Sequence, residues 1–83
     1  QPIAQVFRLG MEFLEKNKDA DNWFLHWECF DPHEPFFTQK QYQDLYPDGY
    51  TGPKFDWPEY GAVKEPPEAV RHLRNQYAAL VTM

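Results

Sequence analysis

The chain has 83 residues, of which 42% are hydrophobic and 18% aromatic, and its 13 acidic against 8 basic residues give a net charge of −5. A domain this short buries only about 60% of the surface its unfolded chain exposes, and the single cysteine, Cys29, excludes an internal disulfide or a multi-cysteine metal site as reinforcement. The acidic balance and scattered basic residues argue against a nucleic-acid backbone or an anionic membrane as partner, and no apolar run approaches the roughly 18 residues of a membrane span.

Residues 3–14 carry Ile3, Val6, Phe7, Met11 and Leu14 at helical spacing, with Gly10 on the same stripe. Pro2 suits the first turn. Arg8, Glu12, Glu15 and Lys16 form the solvated face, with Glu12 and Lys16 in the favourable i,i+4 order. After a polar break, residues 23–30 alternate: Trp23, Leu25, Trp27 and Cys29 point one way, Phe24, His26, Glu28 and Phe30 the other, which predicts a core strand covered on both faces. Asp31-Pro32 ends it, because Pro32 has no N–H for a ladder. His33 then stands at the strand's carboxyl end, where ligands collect in open α/β sheets. One strand makes no sheet, so it must pair with another copy or with sequence outside this chain.

Thr38 with Gln41 reads as a capping box opening a short helix that bears Tyr42, Leu45 and Tyr46, and Pro47-Asp48-Gly49 stops it. Residues 47–67 are irregular, yet Tyr50, Phe55, Trp57 and Tyr60 are too aromatic for a disordered linker and predict a loop packed on a surface. The last helix opens at Pro66-Pro67 with Glu68 at its positive end, and its stripe is Val70, Leu73, Tyr77 and Leu80. It ends without a capping residue, and the chain begins at Gln1, so both ends read as cut. The expected fold class is α/β: helix, strand, short helix, irregular loop, helix, as one partial domain over residues 1–83.

His33 is the sharpest candidate for chemistry, since an imidazole at a strand end can protonate a leaving oxygen or hold an anion. It reads equally well as a histidine hydrogen-bonded to a loop carbonyl. His26 and Glu28, two apart on one face, could share a metal with His33, but a mutually satisfied pair is the commoner arrangement. Asp31 suits a turn, and Cys29, with no basic neighbour, suits core packing rather than a nucleophile. His72 beside Arg71 and Arg74 reads as a solvated face or a weak anion patch. The aromatic loop up to Tyr60 could line a cleft or cover a core.

Three pieces in order carry a likeness: F-L-H-W-E-C-F-D-P-H-E-P-F-F (residues 24–37), T-Q-K-Q-Y-Q-D-L-Y (38–46) and R-N-Q-Y-A-A-L-V-T-M (74–83). Together they resemble the middle of a sulfatase, within the alkaline-phosphatase-like superfamily, over nearly the whole chain. The resemblance implies a fragment of an α/β/α domain whose parent hydrolyses sulfate monoesters of sugars or aryl alcohols. It assigns His33 as the catalytic and substrate-binding residue that contacts the sulfate or the leaving group. The formylglycine nucleophile and the calcium ligands of the family match no position here, so no metal site and no cofactor is expected in this segment. Cys29, followed by Phe30-Asp31-Pro32-His33, does not fit the nucleophile motif. The isolated chain is expected to be inactive and to self-associate. A phosphonate monoester or phosphodiester hydrolase, or a self-contained acidic interaction module, stands as the alternative.

Overall fold

A computed structural model describes residues 2–83. Its elements are three helices, α1 (Ile3–Asn17), α2 (Lys40–Gln43) and α3 (Pro67–Thr82), and no strand is formed among the described residues. The expected α/β class is therefore overturned: residues 23–30 carry no regular secondary structure and form no ladder. An extended backbone becomes a strand only when its N–H and C=O groups meet a neighbouring segment. Without one, the face expected to be covered stands open, with Phe24 87% and Phe30 65% exposed. Cys29, expected in a core, is exposed as well.

The chain divides into two compact units, residues 1–30 and 31–83. In the first, Phe7 and Gly10 of the predicted stripe and Phe13 outside it meet the segment that follows α1, while Met11 is exposed. Trp27 lies over Gly10, packs on Phe7 with ring centroids 5.2 Å apart, and donates its indole N–H to the Val6 carbonyl at 3.1 Å. Trp23 meets Phe13 edge-on at 5.4 Å and donates to the Ala20 carbonyl at 3.1 Å. The alternation of residues 23–30 thus selects the face that packs, but against a helix rather than inside a sheet. Asn22, at φ 60°, turns the chain, a conformation that asparagine tolerates better than most residues. On the solvated face Glu12 pairs with Arg8 at 2.6 Å, not with Lys16.

In the second unit α3 is the spine. Its N-terminus is as expected, with Pro66 as N-cap and Pro67 at the first position. Ala69, Ala79 and Leu80 are its buried apolar residues, and α2 packs against it. The capping box at Thr38 does not form: Gln39 is the N-cap of α2, with no side-chain cap bond. The buried Thr38 hydroxyl donates instead to Met83 Sδ at 3.1 Å, and Tyr46 shares a 2.6 Å hydrogen bond with Thr82. A hydroxyl that would close a helix N-terminus is spent on tying the chain to the end of α3.

Candidate functional site

The site grows from a proline-bounded turn. Asp31-Pro32 forms the turn read from sequence, and Glu34-Pro35 follows; both X-Pro bonds are cis. Two anchors hold what comes next. The Phe36 N–H donates to the Asp56 carbonyl at 2.6 Å, and the Phe36 ring meets Tyr77 of α3 edge-on at 5.1 Å. The first anchor draws the irregular loop alongside the turn, and so brings a residue from 26 positions downstream into reach: the Tyr60 hydroxyl donates to Glu34 Oε1.

His33 lies inside this frame. Its Nδ1 is 2.8 Å from the Glu34 backbone carbonyl, and its Nε2 is 3.4 Å from Glu34 Oε1. A carbonyl only accepts, so Nδ1 carries a proton in that contact. The ring is half exposed at 46%, whereas the Glu34 side chain is 13% exposed. The Tyr60 hydroxyl holds the Glu34 carboxyl below its ordinary range, helped by His33, and the same bond holds the Tyr60 phenol above its own. The arrangement is an imidazole fixed on one nitrogen, with a carboxylate beside the other. It can hold an anion or pass a proton to an oxygen.

His26 and Glu28 do form the mutual pair, 3.2 Å apart, but both are exposed on the segment that follows α1. No group of three or more His, Cys, Asp or Glu side chains is placed to hold a metal among the described residues.

A second cluster, unforeseen in the sequence, surrounds His72. Its Nδ1 lies 3.0 Å from Asp48 Oδ2, to which Asn75 also donates at 3.2 Å, while the Tyr50 N–H donates to Asp48 Oδ1 at 3.0 Å and the Tyr50 ring stacks on the imidazole at 4.1 Å. Burial pushes the Asp48 carboxyl up, but these donors outweigh it, the Tyr50 N–H foremost, and hold it below its ordinary range. Asp48 is satisfied on both oxygens by neighbours, which makes the cluster a clasp between loop and helix. The one local signal for it was Asp48-Gly49, since an aspartate that bonds the N–H two residues on is a common turn device. Gly49, at φ 67°, supplies the left-handed step.

No family model matches the chain, and neither the curated proteins nor the solved structures return a match. No helix among the described residues is long and apolar enough to cross a membrane.

Proposed function

We propose that the chain is part of a sulfuric ester hydrolase of the sulfatase kind, in which His33 contacts the sulfate ester and serves its leaving oxygen. One observation carries this reading, the D-P-H-E-P-F order of residues 31–36; the 2.8 Å contact of His33 Nδ1 with the Glu34 carbonyl, equally the arrangement of a structural histidine, orients the ring. That contact commits Nδ1, and Nε2 is the nitrogen this reading assigns to the leaving oxygen. As a nucleophile supplied from outside the chain bonds to sulfur, the S–O bond to the leaving oxygen breaks and its bonding pair goes to that oxygen. The oxygen takes its proton from Nε2, while the other proton stays on Nδ1, hydrogen-bonded to the Glu34 carbonyl. The nucleophile and the cation belong, in this reading, to residues outside the chain. Large side chains open to solvent, such as Phe24, Phe37 and Trp57, are surface that the rest of such an enzyme would cover.

The test is a substrate panel on the full-length protein: para-nitrophenyl sulfate, the matching phosphonate monoester and a phosphodiester. Sulfate release with the largest kcat/KM supports the reading. Turnover of the phosphonate or phosphodiester alone would move the protein to that reaction, and turnover of none would remove the enzymatic reading.

A further inference from the structure

We propose that Glu34 and Tyr60 are positioning residues for His33, a two-part clamp that fixes which edge of the imidazole meets the ester. The inference rests on the reading that His33 serves the leaving oxygen. Glu34 Oε1 receives the Tyr60 hydroxyl and also lies 3.4 Å from His33 Nε2, so one oxygen joins the two side chains. With Nδ1 held by the Glu34 carbonyl, the same residue bonds one ring nitrogen and sets its carboxylate 3.4 Å from the other. Its backbone sets the tautomer, and its carboxylate stands beside the transferable proton.

Glutamate alone would hold this geometry poorly, because its side chain has several rotamers of similar energy. Tyr60 removes that freedom. Its own position is not explained by burial, since it is 83% exposed. What it does contribute is the hydroxyl, delivered by a loop that the bond from Phe36 to Asp56 brings alongside. The Asp48 cluster serves as contrast: there the carboxylate is enclosed by donors and the histidine is only 20% exposed, as suits a clasp. At Glu34 the carboxylate is sequestered while the histidine beside it faces outward.

The test compares the full-length wild type with Tyr60→Phe and Glu34→Gln on two sulfate esters, para-nitrophenyl sulfate with a good leaving group and an alkyl sulfate with a poor one. Tyr60→Phe, which keeps the ring, should lower kcat on the alkyl ester about 10-fold with KM kept, and change the nitrophenyl ester by about twofold or less, because a good leaving group needs little protonation. Glu34→Gln should follow the same split. Equal losses on both esters, or none on either, would overturn the positioning role. Carbon NMR of the Glu34 carboxyl gives a second readout that needs no activity: it should titrate below the ordinary range in the wild type and return upward in Tyr60→Phe. An unshifted titration overturns the clamp itself, whereas a wild type that hydrolyses neither ester overturns the reading on which the clamp's role rests.

Discussion

Asp48 closes the irregular loop of the second unit onto α3, and its chemistry makes a pH-dependent prediction. Its folded carboxyl lies below the ordinary value while the unfolded one does not, so its contribution is present above the unfolded pKa and is lost as pH falls through the folded one. Asp48→Asn keeps an acceptor but loses the charge, and should cost about 1 kcal/mol near neutrality by urea denaturation. The two proteins should converge as pH falls through the lowered folded-state pKa of Asp48, where the wild-type carboxyl becomes protonated too. A constant difference across that range would mean that the charge does nothing there. Residue-level reading of the sequence was uneven for a physical reason. The contact of His33 with a loop carbonyl was one of its two expected states, because the partner is the adjacent residue. Tyr60 and His72 act through partners 26 and 24 positions away, and no local spacing encodes those meetings.

Among the elements, the helices were legible and the strand was not. Helical spacing in residues 3–14 and 67–80 is self-contained, since each helix makes its own backbone bonds. Period-two alternation in residues 23–30 was read as a strand, but a strand borrows its bonds from elsewhere. What survived is the side on which Trp23 and Trp27 lie, now packed on α1. That packing makes Gly10 a requirement: a Cβ there would stand 2.1 Å from Trp27 Cε2. Gly10→Ala gains about 1 kcal/mol of helix propensity, but it must displace an indole held by the Val6 carbonyl, and such overpacking costs about 1–3 kcal/mol. The variant should lower Tm and red-shift tryptophan emission. A higher Tm with unchanged emission, the usual result of Gly→Ala in a solvated helix, would mean that the indole does not lie over Gly10 in solution.

At the scale of the molecule, composition was a good guide to one property. Many aromatics in a short chain exceed what it can bury, and its buried apolar residues are Ala69, Ala79 and Leu80, none of them aromatic. Each unit is instead organised around one long helix, α1 or α3, with the chain folded back on it. The second unit holds the site: the turn bearing His33 is tied to Asp56 in the loop, and its Phe36 ring to α3. The central claim is that His33 serves a sulfate ester, and the most direct test is the steady-state hydrolysis of para-nitrophenyl and alkyl sulfates by full-length His33→Ala beside the wild type. Loss of a general acid predicts a fall in kcat on the alkyl ester of about 100-fold or more, with a smaller fall on the nitrophenyl ester. Wild-type kcat and KM on both esters in that variant would contradict the account.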